Sequence, residues 1–494
     1  MKKIVIIGGG ISGLSAGIYA RQNGFETEIY EKHIITGGEC TGWDRKGYHI
    51  DNCIHWLTGI NKDSDMFKIW KNIGAINDDT QMIYEPYFYG IENNDKEIYL
   101  YTDLDRSRKE FLEISPIDSD EINKFFDNVK LAETLFVPTE KAVSDMSIID
   151  FMKIGKKMKK VSVVMKNYGK DNIEDLANRF KSPIIRDILN SYYSHNFMGF
   201  TLLLSYAFLS GKTGAIPVGG SKKMVESITE KYLSLGGKLY TGKEVEKIII
   251  DGKLAKGIRL ADNTEIEADY VICALDTNIT FSKLLDSKYM ETKMQKTYKD
   301  VDGYKVNSAF QTAFGVIGEE ETGAPSGSFI FSCDELTIGT KKESKLCLRF
   351  YDYDESIYPK NKRVIQCSFI QDRDDFEYWK KLNKKDYIEE KKRLALEIQN
   401  RIIKKYPKLK NRLILLDTFT PLTYERYCGA YQGSYMSFFP QKGKKSHNFK
   451  NTIKNLDNVI LAGQWLSANG GLPIAATSGK FAVQKICKLE NIIT

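Results

Sequence analysis

Lys2-Lys3-Ile4-Val5-Ile6-Ile7-Gly8-Gly9-Gly10-Ile11-Ser12-Gly13 is the stretch from which the rest of the chain is read. Its first half is a short apolar run of the kind that forms a buried strand, and the glycines follow without a break. A helical pattern runs from Leu14 to Gln22 and stops at Asn23-Gly24, where glycine suits the left-handed end of a helix. A second strand, Thr27 to Tyr30, ends at Glu31. Strand, glycine turn, helix, and a strand ending in a carboxylate make the dinucleotide-binding fingerprint in its expected context. Gly8 permits the tight turn, Gly10 lets the backbone approach a pyrophosphate, and Gly13 lets helix and strand pack closely. Ser12 lies where the helix N-terminus offers free N–H groups and a positive dipole end to phosphates. Glu31, about 20 residues further on, is placed to accept hydrogen bonds from ribose hydroxyls, and it would repel a 2′-phosphate, which excludes NADP there.

The 494 residues supply two or three domains' worth of core. With 72 basic against 65 acidic residues the net charge is +7, a mild excess that demands no nucleic acid, and no nucleic-acid-binding motif is visible. Eight cysteines stand at wide spacing (40, 53, 273, 333, 347, 367, 428 and 487) with no CxxC pair and no zinc spacing, which reads as reduced thiols. No apolar run reaches the length of a membrane span and no signal-peptide core follows Lys2-Lys3. A cytoplasmic protein is expected, peripheral at most on the inner face of a membrane.

After Glu31 come Thr36-Gly37-Gly38-Glu39-Cys40-Thr41-Gly42-Trp43, a turn at Asp44 to Gly47, a strand Tyr48 to Asp51, and Asn52-Cys53-Ile54-His55-Trp56-Leu57-Thr58-Gly59. Gly-Gly, a hairpin, Gly47-x-x-x-Asp51 and the aromatic-rich turn resemble the flavoprotein family of phytoene desaturases, carotenoid isomerases and retinol saturases, within the wider amine-oxidase group. The resemblance implies FAD, with Gly37 and Gly38 beside its pyrophosphate and the segment Cys53 to Trp56, including His55, beside the flavin ring. Two positions depart from the pattern: Glu39 stands where many members carry Arg, and Cys53 where many carry Gly. A carboxylate facing a pyrophosphate is repelled, so Glu39 is expected to bind hydroxyls or to point away.

Further along, Glu244 to Ile250, Leu254 to Leu260 and Asp269 to Leu275 read as strands and resemble the family's second FAD segment, which implies the Val245 backbone at the adenine. Asn458 to Trp465, then Gly470-Gly471-Leu472-Pro473 and a helix from Ile474 to about Lys488, resemble its C-terminal FAD motif. That implies Gly463 at the ribityl chain and the Gly471 and Leu472 backbone at the flavin's pyrimidine end. The expected class is α/β, a discontinuous Rossmann-like FAD-binding domain (residues 1–85, 215–280 and 450–494) with an α+β substrate-binding domain (86–214 and 281–449).

The apolar run Phe197 to Leu209 suits a buried helix or the wall of a lipid pocket. Phe151, Ile154, Met158, Val161, Met165 and Tyr168 make one helical stripe, with Lys153, Lys156, Lys157 and Lys160 elsewhere on the circumference, a pattern that suits either a packed surface helix or an anionic membrane face. The resemblance implies oxidation, reduction or isomerisation of C–C and C=C bonds in a polyene, retinoid or other apolar lipid, with the electron partner open. His55, Tyr431 and Glu425 are the candidate acid–base residues. A pyridine-nucleotide disulfide reductase would need a second fingerprint and a closely spaced cysteine pair, neither of which the sequence contains. A flavin amine oxidase and a lipid or prenyl carrier that has lost FAD are the remaining alternatives.

Overall fold

The computed structural model describes residues 1–94 and 96–492. The strand Lys3–Ile7 lies at the centre of a six-stranded sheet and pairs in parallel with Glu26–Tyr30 on one side and Tyr270–Cys273 on the other. Lys238–Tyr240 extends the sheet beyond Glu26–Tyr30, and Leu456–Leu461 extends it beyond Tyr270–Cys273. The sheet therefore draws on the beginning, middle and end of the chain. Ile4, Val5 and Ile6 are fully buried because helices cover one face of the sheet and the three antiparallel strands Val245–Asp251, Leu254–Leu260 and Glu265–Glu267 cover the other, which explains the unbroken apolar run.

The helix Ile11–Gln22 packs between two others, Gly220–Ser234 and Leu472–Leu489. Close approach depends on glycine at three places. A Cβ on Gly13 would stand 1.9 Å from the Gly8 carbonyl, one on Gly17 would stand 2.6 Å from the Tyr232 ring, and one on Gly479 would stand 2.5 Å from the Ser12 carbonyl.

Above this layer stands a seven-stranded sheet in the order 413–419, 308–316, 364–371, 341–351, 327–338, 87–93, 96–101. Its central strands 341–351 and 364–371 alternate between two faces. Leu346, Leu348, Phe350, Ile365, Cys367 and Phe369 face a helical layer that includes Lys384–Lys405, while Cys347, Arg349, Tyr351, Gln366 and Ser368 face the interior cavity. A cluster of short helices between residues 104 and 210 forms a third layer around Phe125, Phe126, Tyr168 and Tyr206.

The single stripe expected from Phe151 to Tyr168 is two helices, Ile148–Lys157 and Lys159–Tyr168, broken at Met158 (φ −87, ψ 4). Val161, Val164 and Tyr168 are buried in the bundle, whereas no residue of the first helix is. The break rotates the two halves onto different surroundings, so equal spacing in sequence did not mean one shared face. Among the described residues no helix is long and apolar enough to cross a membrane.

Candidate active site

A cavity of about 1710 Å³ runs from the Gly8–Gly13 turn, under the seven-stranded sheet, to the helix Gly199–Ser210. Its lower lobe is built from backbone. The helix Ile11–Gln22 has no side-chain cap and no acid in its first turn, so its N–H groups and dipole end are open to the cavity. Ser12 Oγ is buried without a partner. The Gly37 N–H donates to the Gly9 carbonyl (2.9 Å), which seats the second glycine loop on the first. A Cβ on Gly10 would point into the gap between the loops, its nearest neighbour being the Gly37 carbonyl at 3.8 Å.

Glu31 is 8 % exposed, and its carboxylate accepts from the N–H groups of Gly9 (2.7 Å) and His33 (2.8 Å). It braces the turn from below while lining the cavity. Val245 lies on the wall beside Glu244 at the start of the strand Val245–Asp251.

At the far end, Gly470 (φ 63) and Gly471 (φ 97) lead into a second uncapped helix, Leu472–Leu489. The Gly471 N–H is taken by Gln464 Oε1 (2.8 Å), and Gln464 Nε2 donates to Glu39 Oε2 (3.0 Å). Gly463 (φ 132) donates its N–H to Ser478 Oγ at 2.8 Å. Gln464 thus ties the Gly37-Gly38 loop to the last glycine segment.

Glu39 is held by that amide. Burial and the neighbouring Asp276 carboxylate push it up to about 8. Asp276 accepts from the N–H groups of Asn278 (2.7 Å) and Tyr431 (2.6 Å), and burial pushes it up to about 7. Two carboxyls that protonate near neutrality can share a cavity with a phosphate anion where two full charges could not.

The three candidate acid–base residues do not converge. The His55 ring faces the cavity between Trp56 and the buried Arg349. Burial and then the charge of Arg349 lower it to about 3, so it is a neutral imidazole and not a proton-donating cation. Tyr431 belongs to another cluster, its ring edge-on to Tyr298 and Trp465 and its N–H on Asp276. Glu425 is exposed on the short helix Pro421–Cys428, near Lys32, whose Nζ donates to the Arg426 carbonyl (3.2 Å). Among the described residues no hydrogen bond joins any two of the three. All three line the one cavity, and the helix Pro421–Cys428 packs against the turn that carries Tyr431.

The upper lobe is built from side chains: Tyr192, Phe197, Phe200, Leu204 and Phe208, with Met165 from the helical cluster. One ion pair interrupts this lining. Arg349 Nη2 meets Glu85 Oε2 at 3.0 Å with both side chains below 10 % exposure, and Nη1 donates to Ser328 Oγ (2.9 Å). Burial works against the guanidinium charge, but Glu85 and the Tyr351 and Tyr353 rings outweigh it and hold Arg349 well above its ordinary value. Neither partner was singled out in sequence. The available signal was a lone Arg within the alternating strand Leu346-Cys347-Leu348-Arg349-Phe350.

Residues 11–487 match the family model described as flavin containing amine oxidoreductase. The chain belongs to that family. It is a flavin-dependent oxidoreductase with FAD as cofactor. The chain is 24 % identical to a 4,4′-diaponeurosporene oxygenase from Staphylococcus haemolyticus, covering 100 % of this chain and 98 % of that protein. It is 23 % identical to a chloroplastic prolycopene isomerase from Daucus carota, covering 98 % of this chain and 79 % of the relative. In fold it is similar to a redesigned putrescine oxidase (TM-score 0.63, 14 % identity, 99 % of each chain) and to an oxidoreductase from Methanosarcina mazei (TM-score 0.58, 16 % identity, 98 % of this chain and 100 % of that one).

The flavoprotein's lower lobe fits FAD on its own evidence. An uncapped helix end, the unpartnered Ser12 Oγ and a gap that a Gly10 side chain would fill are what a pyrophosphate needs. The second uncapped helix end, at Leu472, could face the flavin's pyrimidine ring.

Proposed function

We propose that this flavoprotein oxidises, reduces or isomerises C–C and C=C bonds of a polyene or other long apolar lipid. The observation that carries this reading is the continuity of the cavity, which passes from the glycine cradle into a lobe of aromatic and aliphatic side chains without a wall between them. The carotenoid-processing names of its relatives point the same way. In this reading residues 1–85, 215–280 and 450–494 form the cofactor unit, and 86–214 with 281–449 form the substrate unit. Gly8, Gly10, Ser12 and Gly13 hold the pyrophosphate with Gly37 and Gly38, Glu31 the ribose, Val245 the adenine, and Gly463, Gly471 and Leu472 the ribityl and ring end. When bound, FAD supplies hydride transfer at its ring. His55 and Trp56 orient the substrate chain beside that ring, and the buried sheet face excludes water.

The test is anaerobic mixing of the yellow protein with a carotenoid polyene delivered in liposomes, or with putrescine. Bleaching of the flavin band, or an altered chromatographic profile of the polyene, supports the reading. Bleaching by the amine alone would overturn it in favour of an amine oxidase, and no response with no bound FAD would favour a carrier.

The substrate enters from a membrane surface. Ile148, Ile149, Phe151 and Met152 are 80, 60, 51 and 58 % exposed on a helix with no buried residue, flanked by Lys153, Lys156 and Lys157, and Lys160 lies in the first turn of the next helix. That second helix carries Met165 into the cavity lining. Each lysine near an anionic leaflet contributes about 1 kcal/mol. Liposome sedimentation at low salt should show association that falls when the four lysines become Gln. Equal sedimentation of both proteins would rule the membrane route out.

A further inference from the structure

The interior face of the seven-stranded sheet is not the wall that a pure hydrocarbon needs. Strand register sets Ser328 opposite Arg349 and Arg349 opposite Gln366, a row across three neighbouring strands. Residues in such a row project from one face of a sheet, and all three line the cavity. Arg349 is 5 % exposed and Gln366 4 %. An arginine enclosed to that degree has five N–H groups to satisfy. Only two of them meet an acceptor at 3.0 Å or closer: Nη2 donates to Glu85 Oε2 (3.0 Å) and Nη1 to Ser328 Oγ (2.9 Å). Nη2 also approaches the His55 carbonyl, at 3.5 Å, and among the described residues Nε has no acceptor at all. Gln366 is half used as well. Its Nε2 donates to the Asp51 carbonyl (2.8 Å), and no donor among the described residues meets its Oε1. A clamp between strand and loop accounts for the ion pair with Glu85. It does not account for the donors left over, nor for their place on the cavity side of the sheet.

We propose that the apolar substrate carries a neutral oxygen, hydroxyl or carbonyl, and that Arg349 and Gln366 select for it. The proposal rests on the reading of the upper lobe as a polyene or lipid pocket and names the polar group that pocket takes. The oxygen accepts a hydrogen bond from the guanidinium, and a hydroxyl can in addition donate to Gln366 Oε1. A bond from a charged donor in an enclosed wall is a strong one, and a hydrocarbon in the same place leaves the donors unmet. A carboxylate fits less well. The guanidinium already faces the Glu85 carboxylate, and the neutral His55 ring adds no second positive charge. The approach of Nη2 to the His55 carbonyl puts the polar row where the two lobes meet. The oxygenated end therefore lies toward the cofactor, with the hydrocarbon remainder among Phe200, Leu204 and Phe208.

Three ligands of one chain length test this on the yellow holoprotein: a polyene hydrocarbon, its terminal alcohol and its terminal carboxylate, each delivered in detergent micelles and followed by quenching of protein fluorescence. The wild type should bind the alcohol about 10-fold or more tightly than either of the others. Arg349→Met combined with Glu85→Leu removes both charges together and should bind alcohol and hydrocarbon alike. Gln366→Leu, which touches neither charge, should narrow the margin of the alcohol without abolishing it. Equal wild-type affinities for alcohol and hydrocarbon, or a carboxylate bound most tightly, overturn the proposal. A preference for the alcohol that survives in the double variant seats the oxygen elsewhere and overturns the role of Arg349. Because the first comparison uses the wild type, a misfolded variant does not remove the test. Uptake of none of the three ligands is a different result, and it overturns the lipid-pocket reading itself.

Discussion

The two lobes of the cavity hold their contents by different means. The lower lobe is made of main chain: two uncapped helix ends, two glycine loops seated on each other, and carboxyls that brace turns or protonate near neutrality. The upper lobe is made of side chains supplied by the seven-stranded sheet and the helical cluster, with one enclosed ion pair between Arg349 and Glu85. A site made of backbone admits one residue type at its tightest points, because only glycine lacks the atom that would collide. A site made of side chains admits many apolar solutions, so its identity lies in which distant strands happen to pair.

The largest effect should come from the upper lobe. Arg349→Met strands the Glu85 carboxylate in an enclosed wall and should cost about 3–5 kcal/mol of stability, read as a lowered melting temperature. Adding Glu85→Leu should recover most of that loss. The comparison breaks if the single variant instead keeps its stability and loses FAD, for then the two lobes are not independent.

Gly10→Val tests the lower lobe. Its methyl groups fill the space beside Gly37 and should weaken FAD binding by about 1–3 kcal/mol, roughly 5- to 150-fold. The purified variant should be colourless, while the melting temperature of the FAD-free protein changes little. A yellow variant with full flavin occupancy would move the pyrophosphate elsewhere.

The smallest effect concerns pH. Glu39 and Asp276 have folded values of about 8 and about 7, above those of ordinary carboxyls. Their contribution to the stability of the FAD-free protein is therefore full below the ordinary carboxylate range and lost as pH rises through 7 to 8. Melting temperature followed across that range should decline, and Glu39→Gln should flatten the upper part of the decline. A profile unchanged by the substitution would mean that Glu39 is ionised throughout.

Several elements were legible because local pattern and tertiary fate agree. Leu254–Leu260 forms over the residues expected, and the helix Lys384–Lys405 buries Leu394, Ile398 and Ile402, spaced four apart, on one face. The strands at 87–93, 96–101 and 327–338 gave weaker signals. One face of each meets a polar cavity wall or the surface, which blurs the alternation on which such a reading depends.

By itself the sequence determined the glycine loops: Gly8, Gly13, Gly37 and Gly38 are dictated by sterics or by positive φ, and Glu31 by its place at the end of the adjoining strand. Only the tertiary structure decided which side chains meet across the cavity. Arg349 was brought to Glu85 and Gln464 to Glu39, while the Tyr431 N–H was taken up by Asp276. The physical reason is range. Steric exclusion at a glycine acts between atoms a few bonds or one strand apart, whereas a pairing across a sheet or hairpin depends on register, which is set by the burial of every residue in the element.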